Sequence, residues 1–296
     1  MVNNKFDFIK ASRIAVIISL FFIIATVIGL FTKGMNLGID FMGGKTLRVK
    51  FSKDINISPD ILRNSLKEIG PRITNVGKDE KEYIISYKDE KFNVKTKLTE
   101  LFQDKYEILS EDFVGPKIGK EFQSMAYQAT IVILIIILIY IGIRFKFKFG
   151  VAAVIALLHD VILTLGFITY TGYEFDITLL ASVLTIIGYS LNDTIVIFDR
   201  IREEVKTHHL GKEDYSMVVN LSINKSLTRT FLTSLTTLVA LVALLIFAGI
   251  ELKAMAATLI FGIIVGTYSS NFIASPVVLA WEKIKKRSGS KKTKKS

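Results

Sequence analysis

The chain has 296 residues, half of them hydrophobic, with a formal net charge of +11 and a mean hydropathy of +0.44. Apolarity gathered into blocks of about 20 uncharged residues predicts a multi-span membrane protein and not a soluble globule, and the Lys/Arg surplus then points to orientation signals and lipid head groups before nucleic acid. The sequence has no cysteine, which excludes disulfides, thiolate nucleophiles and Cys-based metal sites, and its three His fall in no metal-ligand spacing.

Lys5, Lys10 and Arg13 precede a first apolar run, residues 14–31, after a cytoplasmic N-terminus of residues 1–13. The run is too long for most signal-peptide cores and no Ala-x-Ala site follows, so it reads as an uncleaved span. Residues 32–124 change character, with dense charge and the apolar pattern of a small soluble domain. Thr46–Phe51 alternates as a strand. Ser58 and Pro59 form an N-cap and first helical position, opening a helix to about Ile69 that ends at Gly70-Pro71. Ile73–Val76 with Tyr83–Tyr87 predicts a hairpin, Val94–Phe102 a second amphipathic helix, and Glu107–Val114 a last strand. The order βαββαβ is that of an α+β ferredoxin-like sandwich. Two glycine-marked segments bracket it: GIDFMGG, with Gly38, Asp40, Gly43 and Gly44, and VGPKIGKE, with Gly115, Pro116 and Gly119. Their plain reading is turn chemistry where a strand meets a span, since no phosphate-loop spacing is present.

Residues 125–282 predict the other five spans: 125–143, 149–170, 180–204, 227–248 and 255–281. Residues 200–226 form a charged amphipathic loop, and the tail at 283–296 holds eight Lys or Arg. Nearly all Lys and Arg of the short loops fall on one side. The positive-inside rule therefore places both termini in the cytoplasm of a six-span protein in the cytoplasmic membrane, with the small domain outside. The basic tail reads as a topology anchor that could also touch lipid.

The fourth span, LASVLTIIGYSLNDTIVIFDRIREE, carries Asn192 and Asp193 within its apolar run. A helical step of 100° gathers Ser182, Thr185, Tyr189, Asn192, Asp193 and Arg200 into one stripe, which must face other helices or a wet cavity. An ionised carboxylate near mid-membrane costs roughly 2.5 to 3.5 kcal/mol on insertion scales, so Asp193 must find a cation or hold a proton. Arg229 opens the fifth span with Thr233, Thr236 and Thr237 on its face, at a depth comparable with Asp193. Two readings stay open: a fixed salt bridge joining two helices, or a proton relay in which helix movement switches the acid between its partner and a proton. His159 and Asp160 in the third span fit a satisfied polar cluster as well as a supporting relay position. Asp199 and Arg200 are interfacial, and Gly262, Gly266 and Ser270 make a small-residue packing seam.

GIDFMGG, VGPKIGKE, LLHDVILTLG (157–166), IGYSLNDTIVIFDRIRE (187–203) and NLSINKSLTRTFLTSLTT (220–237) stand in the order expected of one family. Together they resemble the SecF family, membrane subunits of the SecD–SecF pair that assists bacterial Sec export. The resemblance implies a bundle of the resistance–nodulation–division type, pseudo-symmetric with SecD. It implies a proton-driven role in drawing unfolded exported polypeptides through the SecYEG channel after the SecA step. It also implies that Asp193 and Arg229 match the proton path; the residues themselves add Asn192 to the relay, with Asp160 and Thr233 as supporting polar candidates. Neither a cofactor nor enzymatic catalysis is expected. The alternative reading is half of a proton-driven exporter of lipids or small molecules, and a third is a passive scaffold.

Overall fold

A computed structural model describes residues 6–75, 81–88, 92–103, 105–207, 215–282 and 284. The remainder, including Lys5, Val76, Lys212 and the tail from 285, lies outside the described residues. Two compact units divide the chain: one of residues 36–129 with Glu174–Ile177, and one of residues 1–35, 130–173 and 178–296. The first covers residues 36–124 of the expected domain at 32–124, runs on to 129 and adds Glu174–Ile177, a stretch the sequence presents only as a connecting loop.

In that first unit a short helix α2 (Ile39–Met42) leads into β1 (Gly44–Phe51), α3 (Pro59–Ser65), β2 (Arg72–Asn75), β3 (Glu82–Tyr87), α4 (Val94–Phe102) and β4 (Tyr106–Val114). The four strands form one antiparallel sheet in the order β2-β3-β1-β4. Alternation explains it: Leu47, Val49 and Phe51 of β1 and Tyr83, Ile85 and Tyr87 of β3 point one way, onto Leu62 and Leu66 after α3's start and onto Val94 and Leu98 of α4. Both helices open as the sequence predicts. Ser58 Oγ accepts from Ile61 N–H and Asn93 Oδ1 from Thr96 N–H, which satisfies first-turn donors. A bulge between Arg48 and Val49 shifts the β1–β4 register.

Among the described residues, six helices are long and apolar enough to span a membrane: α1 (Phe8–Thr32), α5 (Pro116–Arg144), α6 (Phe147–Thr171), α7 (Ile177–Thr207), α8 (Tyr215–Phe247), and α9 (Ile250–Ser269) with its continuation to Glu282. The helices overrun the predicted spans. α1 starts six residues before Ile14 because Asp7 and Asn220 Oδ1 both receive its first N–H groups, from Lys10 and from Phe8. α5 starts at Pro116, not 125, since proline suits a first helical position. The expected loop at 200–226 is corrected as well: α7 runs to Thr207 and α8 begins at Tyr215, and Lys225 pairs with Glu204 at 2.6 Å across the two ends.

The helical core packs Phe145, Phe149 and Phe198 against Ala152, Ala153 and Ala156 of α6 and Ile197 and Ile201 of α7. The last span is not continuous α-helix. Ser270–Ala274 adopts π geometry, two residues before Pro276, whose ring would clash with the carbonyl four residues back and which offers no N–H to it. Side-chain donors also reach carbonyls along this stretch. Ser269 and Ser270 donate to Gly266 O, Asn271 to Thr267 O, and Ser275 to Ser270 O.

Two predictions follow from the sheet unit. Gly43 (φ +70°) and Gly44 (φ +137°) sit in the left-handed half of backbone space, and a Cβ on Gly44 would lie 2.5 Å from Tyr87 O. Gly44→Ala in the full chain is expected to destabilise this unit by at least about 1–3 kcal/mol, read as faster proteolysis between residues 36 and 129. Gly115→Ala, at a site with nothing within 4 Å, is expected to leave it unchanged. The second concerns Glu174, whose carboxyl is raised above its ordinary range by burial, against the opposing pull of Arg72 and a hydrogen bond from Ser86. A raised acid stabilises the fold when protonated and loses that contribution as pH rises through its folded value. Glu174→Gln should therefore raise thermal stability at neutral pH, with the gap to the native chain closing as the medium is acidified.

Candidate functional site

The helical turn distributes the polar residues of α7 over two faces. Ser182, Ser190, Asp193 and Thr194 are buried, whereas Thr185, Gly188 and Asn192 are exposed. The single stripe expected from the sequence is thus divided. Its inner half meets α6 and α9 while its outer half is bare.

Asp193 is 1% exposed and accepts a hydrogen bond from Thr267 Oγ1 at 3.3 Å. Thr267 Oγ1 also lies 2.7 Å from Ser234 Oγ of α8, so acid, threonine and serine join three helices. Arg229 is exposed on α8, with Thr233 and Thr236 on the same outer face, and among the described residues no ion pair or hydrogen bond joins it to Asp193. The pairing expected from depth is therefore not a closed salt bridge here. The relation is one of proximity across the edge between a buried and a bare surface. Thr233 turns its hydroxyl back to its own helix, onto Thr230 O and Arg229 O.

A second acid is more deeply enclosed. Asp160 is 0% exposed; its Oδ2 accepts from Ser190 at 2.5 Å and from Ser269 at 2.7 Å, and its Oδ1 lies 2.8 Å from His159 Nδ1. His159 Nε2 lies 3.0 Å from Ser19 Oγ of α1. Thr194 and Ser270 complete the floor between the acids at 2.8 Å. Small residues allow the approach: a Cβ on Gly266 would lie 2.9 Å from Ser190 Cβ.

The glycine-marked residues gather separately in the sheet unit. Gly38 is the N-cap of α2, and Phe175 O accepts from its N–H at 3.0 Å. Asp40 accepts from Ile177 N–H at 3.1 Å, capping the start of α7, and Phe41 stacks on Phe175. Gly43 abuts Pro116 and Gly119 abuts Gly43, both near enough to exclude a side chain. Gly115 has no such neighbour. GIDFMGG and VGPKIGKE are therefore two sides of one close backbone contact, and VGPKIGKE is not a turn but the end of β4 running into α5.

Sequence reasoning missed the residues that assemble the buried acids: Ser19, Ser190, Thr194, Ser234, Thr267 and Ser269. Single hydroxyls in apolar helices carry little signal alone. The i, i+3 grouping of Gly266, Thr267, Ser269 and Ser270 on α9 is the mark that was available. It also missed Asn220 and Asn224, whose amides donate to Phe6 O at 3.1 and 2.9 Å and clamp the start of α1.

Residues 93–284 match the family described as protein export membrane protein SecD/SecF, C-terminal, and residues 28–55 match the SecD/SecF GG motif. The chain is 40% identical to the protein translocase subunit SecF of Calditerrivibrio nitroreducens over 295 residues, covering 96% of this chain and 97% of that one. The corresponding Sebaldella termitidis subunit is 40% identical over 287 residues, covering 94% and 92%. A solved structure of SecDF from Thermus thermophilus, a translocon-associated membrane protein, superposes with a TM-score of 0.84 at 37% identity, covering 94% of this chain and 39% of that longer one. With its spans, its glycine-marked segments and its buried acids all inside these matches, the chain belongs to the SecF family of protein translocase membrane subunits.

Proposed function

We propose that the chain is an accessory subunit of the Sec preprotein translocase, acting with a SecD-type partner to use the proton-motive force in promoting protein export. One observation carries this reading: a buried carboxyl, Asp193, lies beside a bare polar strip made by Asn192 and Thr185 of α7 and Arg229, Thr233 and Thr236 of α8. Arg is among the most costly side chains to hold against lipid, so the strip asks for a second bundle to cover it. That the related SecDF chain is more than twice as long supports a SecD-like bundle as the cover.

In this reading Asp193 alternates between two partners. Enclosed among Thr267 and Ser234 it favours the neutral acid, because a charge there is poorly solvated. A shift of α8 that brings Arg229 to it favours the carboxylate and releases the proton. Asn192, one residue away on the bare face, lies where a proton or water would arrive. Both termini lie in the cytoplasm, and the sheet unit is a ferredoxin-like sandwich on the outer side of the cytoplasmic membrane. There, with its SecD counterpart, it handles unfolded chains leaving SecYEG after SecA has acted. The chain performs no bond-making chemistry and needs no cofactor.

Asp193→Asn keeps the shape and the acceptor for Thr267 but cannot ionise. In vesicles holding the partner and the translocase, the variant is expected to assemble normally and to lose the export increment produced by an imposed proton gradient. Gradient-dependent export equal to that of the native chain would overturn the relay. Recovery of the native chain with a SecD-type protein, as opposed to an outer-membrane channel, separates this role from a small-molecule exporter.

A further inference from the structure

The hydrogen positions around His159 follow by elimination. Tyr268 has one hydroxyl proton, and it goes to Ala15 O at 2.6 Å. Ser19 Oγ, 3.0 Å from Tyr268 Oη, must then be the donor in that contact. Having spent its proton, Ser19 can only accept from His159, so Nε2 carries a hydrogen. The 2.8 Å contact between His159 Nδ1 and Asp160 Oδ1 then needs one proton, on either atom. With the proton on Nδ1 the pair is imidazolium and carboxylate; with it on Oδ1 both are neutral. The net charge is zero in both.

We propose that His159 and Asp160 are a second intramembrane proton-holding site, a neutral dyad whose proton position sets the grip of α6 on α9. The transfer is internal: the proton leaves Nδ1 with its bonding pair staying on nitrogen, and a carboxylate lone pair on Oδ1 takes it. Among the described residues, three elements face the dyad. Ser19 comes from α1, Ser190 from α7, and Tyr268 and Ser269 from α9; Tyr268 is the one titratable group among them, and none is charged. Asp193 is directed to Thr267 instead. When the carboxyl is ionised, Ser190 and Ser269 both donate to Oδ2 in charge-assisted bonds. When it is protonated those bonds weaken, and Ser269 has an alternative acceptor already within reach, Gly266 O at 3.1 Å.

Ser269 stands at the edge of the π segment, where an α-helix is already interrupted. Its neighbours there are Thr267, which donates to Asp193, and Ser270, which meets Thr194 at 2.8 Å and Ser190 O at 3.4 Å. One short stretch of the last span therefore touches both acids. The exchange of Ser269 between Asp160 and its own backbone moves the segment that holds Thr267. This coupling rests on the relay reading of Asp193, whereas the dyad itself does not.

Asp160→Asn separates the possibilities, because an amide copies one of the two arrangements. Its N–H can donate to Nδ1 while its oxygen accepts from Ser190 and Ser269, so the network is kept and the proton is fixed. The first measurement is nitrogen-15 NMR of labelled histidine in the full chain with His208→Gln and His209→Gln, leaving His159 as the sole signal. A protonated Nε2 and a shared, intermediate Nδ1 are expected, with Nδ1 becoming a bare acceptor at every pH in Asp160→Asn. An unprotonated Nε2, or an Nδ1 indifferent to Asp160→Asn, would overturn the dyad. The second is gradient-driven export with the SecD-type partner. Asp160→Asn should assemble and lose the gradient-dependent increment. If it retains that increment while Asp193→Asn loses it, the dyad fails and the relay stands. If Asp160→Asn loses it while Asp193→Asn does not, the relay reading fails and the dyad stands. Should Asp160→Asn not assemble, the histidine spectrum of the otherwise native chain decides.

Discussion

The structure depends on one constraint: inside a bilayer, a polar group must be satisfied by another helix, because water cannot do it. α9 meets that constraint for two acids at once. Its four polar residues from Thr267 to Ser270 face α6 and α7 through Asp160, Asp193, Thr194 and Ser190, and through Ser19 by way of Tyr268. Polar bonds of this kind are individually modest, about 1 kcal/mol each in measured membrane helices. Their weight comes from direction. A hydroxyl can turn to a neighbouring carboxylate or back to its own backbone, so each is a small two-way joint. Pro276 supplies the local slack, since the helix above it has already exchanged α for π geometry.

The sheet unit obeys a different constraint, the closeness of backbones. β1 begins where Gly43 and Gly44 pass against Pro116 and Tyr87 O, so the entry and exit strands of the unit meet without side chains between them. Asp40, Phe41 and Gly38 then fasten Phe175 and Ile177 to the same corner. A stacked ring pair and a cap at the first N–H of α7 make this corner polar at one edge and apolar at the other. Glu174, held beside Ser86 with Arg72 acting on it, closes the polar edge.

Much of this was legible in the sequence, and the reasons are physical. Span number came from apolar length, and the strands and two soluble helices from period-2 alternation, Ser58-Pro59 and the Gly70-Pro71 stop. Helix ends were less legible. The apolar run says where lipid begins and not where hydrogen bonding stops, so α1, α5 and α8 extend into charged sequence at Phe8, Pro116 and Tyr215. Asp193, Asp160 and Arg229 stood out because charge is costly in a span, and their partners did not. Ser19 is 141 residues from Asp160, and nothing local marks it as the residue that orients His159. The stripe on α7 was visible as a period, but a period cannot tell which edge is covered. That is why Asn192 and Asp193, adjacent in sequence, lie on opposite sides of the same boundary.

Exposure alone does not identify a partner surface in a membrane protein, and α5 and α8 show why. Over their apolar lengths α5 and α8 are mostly bare, whereas α6 is half-buried, so both are peripheral. The bare side chains of α5 are Ile131, Val132, Ile135, Ile136, Leu138 and Ile139, and acyl chains suit them. α8 adds Arg229, Thr233 and Thr236 to its bare face, and α7 contributes Thr185 and Asn192 beside it. The same degree of exposure therefore has opposite meanings on the two helices: lipid satisfies one and leaves the other with an exposed guanidinium and an exposed amide that acyl chains cannot satisfy. A surface that is costly to leave open and lies one helical turn from a buried acid is suited to sensing whether its cover is present. In the proposed relay, opening or closing that cover would change the solvation of Arg229 first, and the charge of Arg229 would act in turn on Asp193. In that proposal, chemistry at the acid is tied to movement between bundles through a single charged side chain.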